Sequence, residues 1–379
     1  MAKGTLRLLE AQGADAARWE EALAPMPGAD IYFTPAYVRL FAELDGDEAA
    51  ALLWETPRGR VLFPLQIRDL SRLPFWQGAV QRAGVPRARY DATSPYGYSG
   101  PLTDVTGGPH AMELVRDFLD VAKEELRSRG LVSLFVRFNP MSGNAAYFPE
   151  DALDLSKRSD TVFMDLESSW YKQLSSACHY EVRKSERRGV TVEAAEAPAE
   201  WATFGEIYRA TMRRRSAREW YIFPQSFLDA TREALPGRVT LLLARREGVV
   251  LGGSLFLKGF GKGHYHLSGV AAEAAGLGIA NRLVVEGARL CAAQGCRTLH
   301  LGGGVTPGDG LSRFKASFSP LRAVWEKACI VLEREPYAAL VEASRESLKQ
   351  GEECPEESSG GPFPAYRRGF GASASRDPA

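Results

Sequence analysis

Apolar positions along this chain recur at the spacings of both strands and helices. Leu52-Leu53-Trp54 and Val61-Leu62-Phe63-Pro64-Leu65 read as two strands joined at Pro57-Arg58-Gly59, and Pro64, with no N–H to give, implies an edge strand or a bulge. From Met112 to Arg129 the residues Leu114, Val115, Phe118, Val121, Ala122 and Leu126 form one helical face that Gly130 ends. Leu131 to Phe138 follows as a buried strand. Arg68 to Arg89 shows neither period and reads as an irregular basic loop. In the second half a strand spans Thr161 to Leu166, with Ser168 or Ser169 placed to cap the helix after it. Another helix spans Glu200 to Ala217, and Val239 to Arg245 and Val249 to Lys258 form a hairpin. Val324 to Leu332 reads as one strand and Pro336 to Leu348 as a helix.

The stretch from His264 to Phe318 carries the candidate chemistry. It runs His264-Tyr265-His266-Leu267-Ser268-Gly269, then Gly276 and Gly278, then a helix with Ile279, Leu283, Val284 and Leu290 on its apolar face, then Leu299-His300-Leu301 and three glycines. A strand–helix–strand unit with a glycine turn at the helix start leaves backbone N–H groups facing a ligand, which favours an anionic or oxyanionic group. Lys315 follows between Phe314 and Phe318.

Five stretches in this order resemble the Fem/Mur-type (FemABX) aminoacyl transferases: Ser94-Pro95-Tyr96-Gly97-Tyr98-Ser99-Gly100-Pro101, the run from Trp170 to Val190, the Y-x-x-T-M-x-R pattern of Tyr208, Thr211, Met212 and Arg214, the strand His264 to Gly269, and Leu301 to Gly304 with Phe314-Lys315-x-x-Phe318. The resemblance spans roughly residues 30 to 345. It implies an α+β fold of two GNAT-like lobes with mixed sheets flanked by helices. The expected boundaries are 1–158 for the first lobe and 159–335 for the second. Helix 336–348 is expected to return to the first lobe, and the Glu/Ser/Gly/Pro-rich segment 351–379 to be a disordered tail.

At 379 residues the chain holds two ordinary domains. Lys+Arg and Asp+Glu balance at 47 each, so no global field recruits nucleic acid or an anionic membrane. No apolar run approaches the ~20 residues that cross a bilayer, and the start Met1-Ala2-Lys3-Gly4 lacks a signal-peptide pattern; a cytoplasmic protein is expected. The five cysteines include no C-x-x-C pair, so neither a disulfide frame nor a zinc site is expected, and the first four suit buried positions. G-x-S-x-G, Walker and H-E-x-x-H patterns are missing. His264 and His266 fall on one strand face at alternating spacing, with no third ligand spaced for a metal. They suit packing, or in His266 a place in the acyl cleft.

Lys315 is the leading catalytic candidate, with His266 second. Amide formation passes through an oxyanion that a fixed cation or N–H pair stabilises, and a lysine between two aromatics sits where its charge acts strongly. The resemblance places such a lysine at the donor ester, with Gly302 and Gly303 offering backbone donors and Phe314 and Phe318 lining the site. Between residues 172 and 218 there are ten Lys/Arg against six Glu. Arg183 and Arg214 in that stretch are candidate phosphate contacts. Tyr96, Tyr98 and the Arg68–Arg89 basics are expected to line an acceptor groove. An acyl-CoA enzyme of the GNAT kind usually carries Arg or Gln three residues before the first glycine; Glu273 stands there and disfavours a pyrophosphate. The resemblance therefore implies aminoacyl-tRNA as donor and an amine-bearing acceptor, such as a peptidoglycan precursor peptide or a small amine, with no cofactor. Two alternatives stay open: an acyl-CoA-dependent N-acyltransferase, and a two-lobe binding protein without chemistry.

Overall fold

The computed structural model describes residues 4–83, 89–149, 153, 159–304, 308–349 and 363–368. The chain divides into two compact units, 1–158 with 325–378, and 159–324.

The first unit runs β1 (Thr5–Glu10), α1 (Gly13–Leu23), α2 (Pro35–Asp45), β2 (Glu48–Thr56), β3 (Gly59–Asp69), α3 (Trp76–Ala83), β4 (Tyr90–Thr93), β5 (Leu102–Thr103), α4 (Gly108–Ser128) and β6 (Leu131–Arg137). It is completed by β14 (Lys327–Val331) and α10 (Arg334–Lys349). Its mixed sheet has the order β1-β2-β3-β4-β6-β14, with β5 also on β3; only β4 and β6 pair in parallel. The expected face of α4 packs Leu114, Val115, Phe118 and Leu126 against Trp54 and Phe63. The start of α2 is set by Thr34, whose hydroxyl accepts from the Tyr37 N–H ahead of Pro35.

Pro64 does not mark an edge strand. β3 is interior, and Pro64 sits where β5, on residues 61 and 62, has ended and β4, on residues 66 to 69, has not begun. A residue with no N–H costs no ladder bond in that gap.

The second unit runs β7 (Ser159–Asp165), α5 (Ser176–Arg187), β8 (Thr191–Ala194), α6 (Pro198–Arg214), α7 (Gln225–Ala234), β9 (Val239–Arg246), β10 (Val249–Gly259), β11 (Lys262–Val270), α8 (Ile279–Ala293), β12 (Thr298–Gly302), α9 (Gly310–Ala316) and β13 (Arg322–Trp325). The sheet order is β13-β7-β12-β11-β10-β9-β8. Two adjacent glycines of β10 fix the layers. A Cβ on Gly252 would meet Ile279 of α8, while one on Gly253 would meet Phe204 of α6, so these helices cover opposite faces. Helix α5 lies with α8: Gly278, at φ +70°, passes so close to the Glu181 carbonyl that any side chain there would collide with it.

Three further expectations change. The single strand expected over 324–332 divides at Glu326, with β13 in the second sheet and β14 antiparallel to β6 in the first. The irregular loop expected over Arg68–Arg89 contains the end of β3 and α3, whose buried Ala79 packs with Leu340 and Ala343 of α10. The third concerns the C-terminal segment. Most of 351–379 lies outside the described residues, but Phe363–Arg368 is docked, not disordered. The Tyr366 hydroxyl donates to Asp91 Oδ2 at 2.8 Å and accepts from Ser133 Oγ at 2.8 Å, and Arg367 donates to both oxygens of Asp91. Asp91 is fully buried and also accepts from Arg68 at 2.7 Å. Burial alone would raise its pKa, but Arg367 and Arg68 outweigh that and hold it below the ordinary carboxylate value.

Candidate functional site

The parallel strands of the second unit part at one place. β11 and β12 pair only through Lys262–Thr298, Gly263–Leu299 and His264–His300. Beyond His264 the strand β11 stays with β10, and beyond His300 the strand β12 stays with β7. A wedge therefore opens after the two histidines, whose rings lie 5.7 Å apart at 78°.

After β12 the chain brings α9 back to the end of that strand. Gly302 turns at φ +77°, and Asp309 caps α9 by accepting from Ser312 N at 2.6 Å. Gly304 must be glycine because a Cβ there would collide with Ser312 and the Asp309 carboxylate. Helix α9 then presents Lys315, flanked by Phe314 and the buried Phe318, whose rings meet edge to face at 5.0 Å. Lys315 Nζ donates to the Gly303 carbonyl at 2.6 Å. The glycine run thus offers Lys315 an acceptor, where backbone donors were expected. Burial lowers the Lys315 pKa from 10.5 to about 8, with the Asp309 carboxylate opposing the shift.

His266 is not on the face of His264 by simple alternation. Phe256 of β10 stands opposite Tyr265, and Leu255 opposite Leu267, so His266 is the extra residue of a β-bulge. It is half-buried, while His264 is only 1% exposed. Burial and then His264 push the His266 pKa down to about 3, and burial, His264 and Lys315 push that of His300 well down as well. Both imidazoles are neutral at ordinary pH. Each can give one hydrogen bond and take one without carrying charge, and beside them Lys315 keeps an amine whose pKa is brought toward neutrality. His300 was missed as a site residue; its signal is a histidine at the last paired position of the second parallel strand, opposite one in the first.

Arg183 and Arg214 are not brought together. Arg183 is exposed on α5, and Arg214 belongs to α6 on the opposite face of the sheet. The Y-x-x-T-M-x-R residues hold structure. Tyr208 is buried and bonds the Tyr221 carbonyl; Thr211 Oγ1 accepts from Val270 N at 3.1 Å, and Arg214 donates to Val270 O at 2.7 Å. They finish the end of β11, so the basic stretch 172–218 is not one phosphate surface.

Tyr96 and Tyr98 lie in the first unit, half-buried in an aromatic cluster. Tyr96 stacks on Phe41 at 5.0 Å, and Tyr98 meets Tyr32 edge to face at 5.3 Å. Burial raises the Tyr98 hydroxyl to about 12 against the opposing pull of Arg137. The basics expected beside them are bound elsewhere: Arg68 to Asp91, Arg72 to the Gly46 carbonyl, Arg82 to Glu346 and Arg89 to Asp69. Arg87 lies outside the described residues. Among the described residues, carboxylates and carbonyls of the same unit take these arginines up, away from Tyr96 and Tyr98.

Among the described residues no group of His, Cys, Asp and Glu could hold a metal ion, and no helix is long and apolar enough to cross a membrane. Cys178, Cys291 and Cys296 are buried free thiols and Cys329 is half-buried; Cys354 lies outside the described residues.

Residues 174–315 match the family model described as acetyltransferase (GNAT) domain, a match that ends on Lys315. No curated protein matches. A solved structure of FemX is 13% identical, with a TM-score of 0.66 over 86% of this chain and 98% of that one. A conserved protein of unknown function from Bacteroides thetaiotaomicron is 9% identical, with a TM-score of 0.52 over 86% of this chain and 100% of that one. Identities this low speak to fold alone. The chain has the GNAT-type acyltransferase fold, twice over, in two α+β lobes with mixed sheets flanked by helices.

Proposed function

We propose that the second lobe forms an amide by moving an aminoacyl group from aminoacyl-tRNA to an amine acceptor. The observation that carries this reading is Lys315 at the mouth of the parted strands, partly desolvated and held by Gly303. The acceptor nitrogen attacks the ester carbonyl carbon, and the carbonyl electron pair moves onto oxygen beside the lysine ammonium. A C–N bond forms. The intermediate then collapses, the C–O bond to the ribose breaks, and the ribose oxygen takes up the proton that the nitrogen loses. No covalent enzyme intermediate is needed, because an ester is reactive enough for positioning and oxyanion stabilisation to suffice. The acceptor is an amine-bearing peptide or small molecule, such as a peptidoglycan precursor.

An acyl-CoA donor is the second reading, favoured by the acetyltransferase domain match. Against it stands Glu273, an exposed carboxylate on the loop leading into α8, where a pyrophosphate would be repelled. The test incubates enzyme and candidate amines with charged tRNA, with and without RNase, beside a parallel reaction with acyl-CoA. Product that depends on intact charged tRNA supports the first reading; product that survives RNase and needs acyl-CoA replaces it with the second.

A further inference from the structure

Among the described residues the two markedly exposed aromatic rings are Tyr180, 57% exposed, and Tyr171, 36% exposed, only nine positions apart. Exposed tyrosines cost apolar hydration that a buried site would recover, and these two are linked through His179, which neighbours Tyr180 and touches Tyr171, so they point to a contact. Tyr171 lies edge-on to His179 at 4.9 Å, and the Arg289 guanidinium sits 5.5 Å from its ring centre. Tyr180 has Lys184 Nζ at 5.5 Å.

Tyr180 stands in a basic strip, with Tyr171 on its flank. Tyr180, Arg183, Lys184 and Arg187 follow the i, i+3, i+4, i+7 spacing of a single helix face, while Cys178, Val182 and Ser185 fill the buried face of α5. The ion pairs formed by this helix, among the described residues, are Lys184 with Glu181 and Glu186 with Arg282. They neutralise its carboxylates and take up none of Lys172, Arg183, Arg187 or Arg188, all exposed. Uncommitted cations beside exposed tyrosines are what a flexible, single-stranded polyanion of stacked bases requires.

The strip begins at the catalytic candidate. Ser175, which caps α5, donates its backbone N–H to the carbonyl of Ser317, two residues past Lys315, at 2.8 Å. At 1.5 Å per residue the face from Tyr180 to Arg187 runs from about 8 to about 18 Å beyond that join.

We infer that this α5 strip binds the single-stranded 3′ end of an RNA, with bases on Tyr180 and Tyr171 and phosphates on Lys172, Arg183 and Arg187, so that the terminal ester reaches Lys315. The inference rests on the aminoacyl-tRNA reading and adds to it the surface, which excludes the α6 arginines on the opposite face.

The test measures binding of uncharged tRNA, and of a fluorescent single-stranded oligonucleotide with its 3′-terminal sequence, by anisotropy across a salt series. All substitutions are of exposed side chains, and thermal melting confirms folding. Tyr180→Ala should weaken binding about tenfold, within the cost of losing one stacking platform. The double variant Arg183→Ala/Arg187→Ala should lower the slope of log Kd against log salt by about 1.4. Arg213→Ala, on α6, should bind as the unsubstituted protein does. RNA binding that ignores both α5 variants overturns the strip while leaving the tRNA donor standing. Absence of RNA binding by the unsubstituted protein, with activity on acyl-CoA, overturns both. Retention on anionic phospholipid vesicles, lost in the α5 variants while RNA does not bind, assigns the strip to a membrane surface and overturns the proposal.

Discussion

Lys315 Nζ donates to the Gly303 carbonyl at 2.6 Å, tying the α9 helix to the end of β12 through the side chain proposed to meet the oxyanion. An ammonium has three N–H donors. One bond fixes its position and the others can turn toward substrate.

Lys315→Ala should lower kcat by about a hundredfold with the fold intact, the usual loss for one oxyanion donor. Because the lysine acts protonated and its pKa is about 8, the rate should fall as pH rises through 8. Lys315→Arg, which stays charged, should lose that alkaline limb even if slower. The same limb persisting in Lys315→Arg would assign the titration to another group.

The same lysine should cost stability. Its pKa is depressed in the folded state, from 10.5 to about 8, so protons favour the unfolded chain. The penalty is full below about 8 and shrinks as pH rises toward 10.5. Lys315→Met should therefore raise Tm, relative to the unsubstituted protein, more at pH 6.5 than at pH 10. An equal difference at both values would show that the amine is well solvated.

In the first unit, Arg367→Ala should destabilise by about 3 kcal/mol in urea unfolding, since it breaks a buried pair and leaves Asp91 with Arg68 alone. Tyr366→Phe should cost less, about 1 kcal/mol, for one buried hydrogen bond. Asp91 titrates below its ordinary value, so its contribution is present at neutral pH and is lost as pH falls through the folded value; the Arg367→Ala penalty should shrink in acid. Unchanged midpoints at neutral pH would mean that the segment is not docked.

The strand–helix–strand core, and the placing of Lys315 beside the glycine run, were legible because each has a local signature, in apolar spacing, glycine turns or a lysine between aromatics. What escaped reading depends on partners distant in sequence. Nothing around His266 marks a bulge, which arises from how β10 pairs with β11. Helices α5 and α6 are both basic, but only the crossings of the chain put them on opposite faces, and this divided Arg183 from Arg214. Tyr366 and Arg367 sit beyond a Ser/Gly/Pro-rich segment whose composition hides their partner Asp91, which lies 276 positions before Arg367. The described basics of Arg68–Arg89 likewise turn to partners in their own unit that are distant in sequence or hidden from local patterns.

One residue, Glu326, separates the last strand of the second sheet from a strand of the first. The second unit is thus spliced into the interior of the first, and β7 and β13 at its two ends are sheet neighbours. On the ribosome, the first lobe must wait with β6 lacking its β14 partner until the whole of the second has been made. The inserted lobe needs no such wait. A gene fragment encoding 159–324 should fold on its own, whereas one stopping at 158 should leave an open sheet edge prone to association.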